Sequence, residues 1–247
     1  MSARTLTAAA MLLIAALAPA GRGEAQEARP PLAPQTAKAA APVDLTGYWV
    51  AFVTEDWRFR MMTPPKGDFT RVPLTAEGIR VANAWNPAAD AAAGNECKPF
   101  GAAAIMRVPG RLHVTWPDDN TLRLDTDAGM QTRLFRFRAA PAAAGRPAWQ
   151  GESRARWDNA APSGSLEVVT TNLRAGYLRR NGVPYSDNAR VTEYFDVAPQ
   201  PDGTPLLVVT TIVEDPVYLQ RPFVVSSHFK KEADASRWEP TPCSAAW

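Results

Sequence analysis

Short alternating runs of apolar and polar residues fill the chain from about residue 102 onward. In the run 111–116, Leu112, Val114 and Trp116 fall on one face of an extended strand. Clusters of Gly, Pro, Asn and Asp separate successive runs at the spacing of hairpins. There is no strand–helix–strand rhythm, so a parallel sheet is not expected. The pattern predicts an all-β fold of about ten strands, arranged as an antiparallel barrel or closed sandwich.

Earlier in the chain the pattern predicts two strands and one short helix. Strands are expected at 46–55 and at 57–62, where Arg58 and Arg60 share the face opposite to Trp57. The helix is expected after Thr75, which can cap its first turn, and should end at Asn86-Pro87. Further strands are expected at 104–108, 111–116, 121–125, 131–138, 149–157, 165–172, 189–197, 205–214 and 222–231.

The N-terminus has the features of a secretory signal peptide. Arg4 supplies positive charge, and residues 6–17 form an apolar stretch too short to span a bilayer as a helix. Residues 26–42 are rich in Ala and Pro, which is typical of a flexible tether. We therefore expect a signal peptide at 1–25, a tether at 26–42, a single domain at 43–247 and a periplasmic or secreted location. The alternative is an uncleaved N-terminal anchor.

Composition limits the class of partner. The net charge is +2 among 247 residues and the basic residues are not clustered, so nucleic acid is not an expected partner. No later stretch is apolar enough to cross a membrane. The sequence contains no phosphate-loop motif, no dinucleotide-binding motif, no Gly-x-Ser-x-Gly motif and no HExxH motif. No cofactor is expected. The sequence does not identify a protein partner.

The chain has two cysteines, Cys97 and Cys243. In an oxidising compartment such a pair favours a disulfide, which would tie the C-terminal tail to the body. Two buried free thiols are the alternative. A four-ligand zinc site needs more Cys or His than the chain supplies, and the spacing of His113 and His228 carries no metal signature, so no metal site is expected.

Glu193 is the most informative polar residue, because it falls among the apolar residues of one strand face, between Val191 and Phe195. A carboxylate in such a position must be paired, hydrogen-bonded or neutral. Arg58 or Arg60 is the expected partner. A structural ion pair and a ligand-binding or general-base role both remain open.

These features favour a protein that binds a small, largely apolar molecule in a barrel cavity, with candidate ligand-binding residues Glu193, Arg58, Arg60, Trp57, Trp116 and Phe195. The alternative is a cofactor-independent isomerase, cyclase or hydratase using acid/base residues in the same barrel. An apolar interior would favour the binder, and converging ionisable groups would favour the enzyme. The long segment 173–187, which contains Arg174, Arg179 and Arg180, is of a length typical of a lid or binding loop.

Gly47-Tyr48-Trp49, at the first predicted strand, resembles the Gly-x-Trp signature of lipocalins and other calycins. The resemblance implies a lipocalin-like barrel in which Trp49 closes one end and packs near a basic residue of the last strand, Lys230 or Lys231. It also implies a tail-to-barrel disulfide.

A second resemblance covers most of the mature chain. It is to a large family of exported bacterial proteins without an assigned activity, and it implies export and a β fold but no reaction. It is carried by Leu74-Thr75-x-Glu77-Gly78, Trp149-Gln150-Gly151, Arg156-Trp157, Val168-Val169-Thr170-Thr171-Asn172, Pro184-Tyr185-Ser186-Asp187, Thr192-Glu193-Tyr194-Phe195 and Ile212-Val213-Glu214-Asp215-Pro216.

Export predicts a shortened mature chain. Small residues precede two candidate cleavage sites, so the mature protein should begin at Gly21 or at Gln26. Intact-mass spectrometry of the protein recovered from the periplasm measures this directly. Retention of Met1 would contradict the prediction.

Overall fold

A computed structural model describes residues 35–138, 145–159 and 163–245 of the chain. Their strands are β1 (Gly47–Ala51), β2 (Arg111–Asp118), β3 (Thr121–Thr126), β4 (Ala128–Gly129), β5 (Thr132–Arg136), β6 (Glu152–Asp158), β7 (Ser165–Thr171), β8 (Gly176–Arg179), β9 (Val183–Tyr185), β10 (Arg190–Pro199), β11 (Pro205–Glu214), β12 (Phe223–Glu232) and β13 (Thr241–Pro242). The helices are α1 (Trp57–Met61), α2 (Ala76–Asn83) and α3 (Pro87–Ala92), with single 3₁₀ turns at Lys98–Phe100 and Ile105–Arg107.

Nine of these strands close into a barrel in the order β1-β2-β3-β5-β6-β7-β10-β11-β12, with β12 returning to β1. The prediction of an all-β closed barrel is confirmed. Neighbours in the ring follow one another along the chain, and eight of the nine pairings are antiparallel. A ring with an odd number of strands cannot alternate direction all the way round, so one parallel seam is unavoidable. That seam is β5–β6, where only Phe135 pairs with Ser153 and Arg136 with Arg154.

The predicted strand at 57–62 is wrong, since residues 57–61 form the helix α1. A run of five residues fits both the period of a strand and that of a helix, so the surrounding barrel determines which one forms. Both edges of β1 are already paired, one with β2 and the other with β12, so a following strand at this point has no edge to join.

Two further predictions fail near the helix that was expected after Thr75. That helix is present as α2, and its cap is confirmed, with the Gly78 N–H donating to Thr75 Oγ1 at 3.1 Å. It ends at Asn83, before the expected stop at Asn86-Pro87, and that dipeptide instead starts α3, because Asn is a favourable N-cap and Pro a favourable first helical residue. The strand expected at 104–108 is a buried 3₁₀ turn.

The barrel encloses the main core. Trp49, Leu122, Phe135, Phe195 and Phe229 project from different strands into one apolar cluster and are 2% exposed or less. Phe100, Ile105 and Met106 of the 3₁₀ segments belong to the same cluster. Within the described residues, no helix is long and apolar enough to cross a bilayer.

Each end of the barrel has its own cover. At one end the β8–β9 hairpin and α2 pack over Val191, Val213 and Phe223 in a second apolar cluster. At the other end Trp116, Phe137 and Trp157 pack with ring centroids 5.2–6.4 Å apart. The Trp157 indole N–H donates to the Ala37 carbonyl at 2.7 Å, so the last part of the predicted 26–42 tether is held against this end. Residues 26–34 lie outside the described residues.

Trp49 is fully buried in the first barrel strand and donates its indole N–H to Leu45 O at 2.9 Å. The Lys231 ammonium of β12 lies 4.3 Å from the centroid of its ring. Of the two lysines considered from the sequence, Lys231 therefore makes the contact.

The cysteines Cys97 and Cys243 form a disulfide with their Cα atoms 5.1 Å apart. The bond fixes the C-terminal tail, whose strand β13 also pairs in parallel with β4. This confirms the pairing expected from the sequence.

Loss of this crosslink should destabilise the fold. Replacing both cysteines by Ser opens a loop of 146 residues and should lower the free energy of unfolding by about 2–5 kcal/mol. Denaturant unfolding of the parent and the double variant measures the difference. Equal unfolding midpoints would show that the crosslink does not stabilise the fold.

Candidate functional site

The candidate residues taken from the sequence lie in three separate places. Glu193 and Phe195 are buried in the barrel, and Trp116 belongs to the aromatic cluster at one end. Trp57 and Arg58 lie on the outside of α1. Arg60, on the same helix, is 1% exposed and pairs with Glu55. The sequence-based grouping of all six as one ligand site stays a prediction.

Glu193 points into the barrel as expected, but its partner is Arg133 rather than Arg58 or Arg60. The two guanidinium nitrogens Nη1 and Nη2 of Arg133 lie 2.9 and 2.5 Å from the two carboxylate oxygens. Both side chains are 0% exposed. Arg58 and Arg60 are excluded because they sit on α1 instead of on a barrel strand.

The pair is part of a hydrogen-bonded network across the parallel seam. Arg133 lies on β5 and Glu193 on β10, while Thr170 of β7 accepts from Arg133 Nη2 at 3.2 Å and lies 2.8 Å from the Ser153 hydroxyl of β6. Side chains therefore join four strands where β5 and β6 share only two residue pairs. Neither member of the ion pair lines any of the three cavities described below, so Glu193 is best interpreted as structural.

A different set of residues converges beneath α1. We call it the arginine pocket: the buried side chains of Arg60, Arg107 and Arg179 and the ring of Phe59, together with the small cavity that they line. The three arginines are 1%, 5% and 3% exposed. Pro99, Ala104, Val108, Leu178 and Arg180 complete the lining.

Three elements bring the arginine pocket together. Arg60 comes from α1, Arg107 from the 3₁₀ turn and Arg179 from the end of β8. The β8–β9 turn is anchored by Asn181, whose amide donates to the carbonyls of Pro65 and Asp68 at 3.1 and 3.0 Å. Gly182 has φ +83° and lies against Trp85, where a Cβ would come within 2.2 Å of the indole, so only glycine fits this turn.

The pocket holds an unusual number of unpaired donors. Within the described ranges, eleven buried side-chain polar atoms lack a hydrogen-bond partner, and five of them are guanidinium nitrogens of this pocket. They comprise Nη2 of Arg60, Nη2 of Arg107 and all three nitrogens of Arg179. The Arg179 guanidinium instead lies 4.1 Å from the centroid of the Phe59 ring, a cation–π contact that offsets only part of its desolvation. Buried polar groups are normally hydrogen-bonded, so a cluster of such exceptions requires an explanation.

Positive charge exceeds negative charge around the pocket. Arg60 pairs with Glu55, and Arg107 shares Asp56 with Arg71. Arg179 has no ion-pair partner among the described residues, and burial together with the Arg107 charge lowers the pKa of Arg179 to about 10. Burial also lowers the pKa of Arg60 and of Arg107, opposed by Glu55 and Asp56 respectively. Arg179 therefore stays a cation at neutral pH, at a cost to folding.

Backbone strain marks the same place. Asp56 (φ 47°) and Arg71 (φ 68°) adopt the left-handed conformation that non-glycine residues rarely take. Their side chains are bonded to each other, with Arg71 Nη1 2.7 Å from Asp56 Oδ1, and Asp56 Oδ2 lies 3.3 Å from Arg107 Nη1. Strained residues persist where surrounding contacts hold them, and they cluster at binding sites.

The sequence carries a partial signal for this site. Arg60 is a candidate from the sequence as a partner for Glu193, and the segment 173–187, which has the length of a binding loop, contains Arg179 and forms the β8–β9 hairpin. Phe59 and Arg107 carried no signal, because they converge only through the packing of α1 and the 3₁₀ turn against the hairpin.

Two shallower cavities adjoin each other on the outer barrel wall, with volumes of about 260 and 360 Å³, and share Gln131 and Thr132. His113 lines the first and stacks on Tyr48 with ring centroids 4.1 Å apart. His228 instead pairs with Glu55 and bonds Thr54 Oγ1 at 2.8 Å. Across the described part of the chain, no cluster of three His, Cys, Asp or Glu side chains could hold a metal ion. The polar groups of the first cavity already bond to one another, as Arg123 and Thr132 do to Asp125.

Comparison with known protein families, with curated proteins and with solved structures finds no significant match for this chain. Assignment of a function therefore depends on the geometry of the site.

The ion pair Arg133–Glu193 yields a stability prediction. Glu193→Gln keeps the shape but leaves the Arg133 charge buried without a counter-charge, so the free energy of unfolding should fall by about 3–5 kcal/mol. The double variant Arg133→Met with Glu193→Leu should recover most of this loss. Denaturant unfolding measures both.

The control is Arg156→Met, which breaks the exposed β6–β7 pair Arg156–Glu167 and should cost no more than about 1 kcal/mol. A fall of that small size for Glu193→Gln would mean that the buried pair does not hold the seam.

Proposed function

We propose that the chain is an exported, lipocalin-like binding protein whose ligand carries an anionic group held in the arginine pocket. The observation that carries the proposal is Arg179, a buried cation with no hydrogen-bond acceptor and no ion-pair partner in the described structure. Guanidinium groups are suited to carboxylate and phosphate because their fork of N–H donors matches two oxygens at once.

The unpaired donors fit an anion better than they fit a structural role. A buried guanidinium without an acceptor destabilises the folded chain, as the lowered pKa of Arg179 indicates. Because the pKa of Arg179 lies below the usual range of an arginine, the charged form costs stability at every pH below about 10, and the cost is relieved as the pH rises above that value. An anion accepting from Arg60, Arg107 and Arg179 would offset this cost.

Size limits what enters the pocket. Its cavity is about 20 Å³, whereas one water needs about 10–15 Å³ by a comparable measure. The space therefore admits only the tip of an anionic group, about one oxygen atom, beside the guanidinium nitrogens. The remainder of an organic ligand would extend outwards past α1 and the hairpin.

Support for the lipocalin-like and exported parts comes from other features. Gly47-Tyr48-Trp49 opens the first barrel strand, Lys231 of the last barrel strand covers Trp49, and the Cys97–Cys243 disulfide is typical of an oxidising compartment. A small, largely apolar ligand and a cofactor-free acid/base reaction in the barrel both stay predictions from the sequence. An apolar ligand held inside the barrel would bind with or without Arg179.

The proposal predicts an unusual stability change. Arg179→Met removes the unpaired charge but keeps an apolar side chain beside Phe59, so it should raise the free energy of unfolding by about 1–3 kcal/mol in the absence of added anion. Inorganic phosphate and acetate should raise the melting temperature of the parent but not of the variant, because an anion that binds only the folded state stabilises it. Calorimetric melting and titration measure both effects.

Arg133→Met is the matched control, since it removes an equally buried but paired arginine and should destabilise instead. The general effect of phosphate on protein hydration acts on all three proteins alike and is subtracted by this comparison. Destabilisation by Arg179→Met, or equal stabilisation of parent and variant by both anions, would overturn the proposal.

A further inference from the structure

The outer side of α1 is apolar although it faces solvent. Trp57 and Met61 are one helical turn apart and lie on the same side, and Met62 follows directly; the three are 62%, 57% and 61% exposed. The opposite side of the same helix places Phe59 and Arg60 in the arginine pocket. We call Trp57, Met61 and Met62 the apolar rim. A single short helix thus separates the apolar rim from the buried cations.

The charges beside the apolar rim are cationic at the surface and anionic beneath it. In the pair Arg58–Asp68 the arginine is 60% exposed and the aspartate 10%. In the pair Arg71–Asp56 the exposures are 69% and 14%. Because the arginines are the exposed members of these pairs, a partner approaching this side of the molecule meets positive charge next to apolar side chains.

That combination matches the surface of an anionic bilayer. Trp and Met side chains insert at the boundary between headgroups and acyl chains, and exposed arginines interact with lipid phosphates. A phosphate-bearing headgroup is also the kind of group that the arginine pocket would accept. We propose that the apolar rim and its arginines dock the protein on membranes that contain anionic phospholipid, with the α1 end of the barrel facing the bilayer. The inference builds on the proposed anion site but has its own surface and its own test.

The test uses the full mature chain and vesicles of phosphatidylglycerol mixed with phosphatidylcholine, compared with phosphatidylcholine alone, in a flotation assay. Binding to the anionic vesicles should be tighter by tenfold or more, since each arginine near an anionic surface contributes roughly fivefold. The triple variant Trp57→Ser, Met61→Ser, Met62→Ser should lose this binding by a similar factor. Its folding is checked by an unchanged melting temperature.

Met130→Ser is the matched control, because Met130 is 60% exposed but lines the outer-wall cavity instead of α1. It should bind vesicles as the parent does. The triple variant should also keep the phosphate-dependent rise in melting temperature, which separates the apolar rim from the arginine pocket.

Equal binding of the parent to both kinds of vesicle, or no binding to either, would overturn the docking proposal. The anion site would still stand if phosphate stabilised the parent but not Arg179→Met. Conversely, equal binding of the parent and of Arg179→Met to anionic vesicles would support the docking surface and would show that the arginine pocket takes no part in docking. Tight association of the α1 side with another copy of the chain in place of vesicles, seen as dimerisation lost in the triple variant, would also overturn it.

Discussion

Closing nine strands into a ring imposes the constraint on which the rest of this structure depends. An odd ring needs one parallel pair, and here β5 and β6 meet through only two residue pairs. The buried pair Arg133–Glu193 links β5 with β10 across that seam, and the hydroxyls of Thr170 and Ser153 extend the network, which leaves only Nε of Arg133 without a partner among the described groups of the pair. A charged pair in an apolar barrel is costly unless its geometry is close and its remaining hydrogen bonds are satisfied. The side chains of Arg133 and Glu193 connect strands across the seam, where the backbone hydrogen bonds between β5 and β6 are few.

The same chemical group has opposite consequences at the two buried sites. Arg133 is held by two carboxylate oxygens, whereas Arg179 is held by an aromatic ring and no acceptor. The charge of Arg133 is therefore compensated inside the folded chain, whereas the charge of Arg179 is not. Natural proteins keep such destabilising groups where function needs them, which is why the arginine pocket, and not the more conspicuous Glu193, is the better candidate for a binding site.

The features proposed for binding lie outside the barrel interior, on the elements that cover one end of the barrel. The barrel interior is filled by aromatic and aliphatic side chains that pack on one another. The unpaired cations, the strained residues Asp56 and Arg71 and the apolar rim all belong to elements laid over one end. Sites carried by loops and short helices on a rigid sheet are common, because the sheet fixes their positions while their own residues remain free to specialise. The proposed binding of an anionic group at this end of the barrel agrees with that arrangement.

The sequence by itself determined the β-rich class, most barrel strands, the helix capped by Thr75 and the inward position of Glu193. Each follows from a local rule: alternation with period two, a capping side chain, or the cost of a bare buried carboxylate. The disulfide pairing followed just as directly, because the chain has only two cysteines. Tertiary structure alone decided that 57–61 is a helix, since both edges of β1 were occupied. It also decided that Glu193 meets Arg133, 60 residues away, and that Arg60, Arg107 and Arg179 converge. No local pattern encodes these contacts, because they depend on which strands close the ring and on how α1, the 3₁₀ turn and the β8–β9 hairpin then pack together.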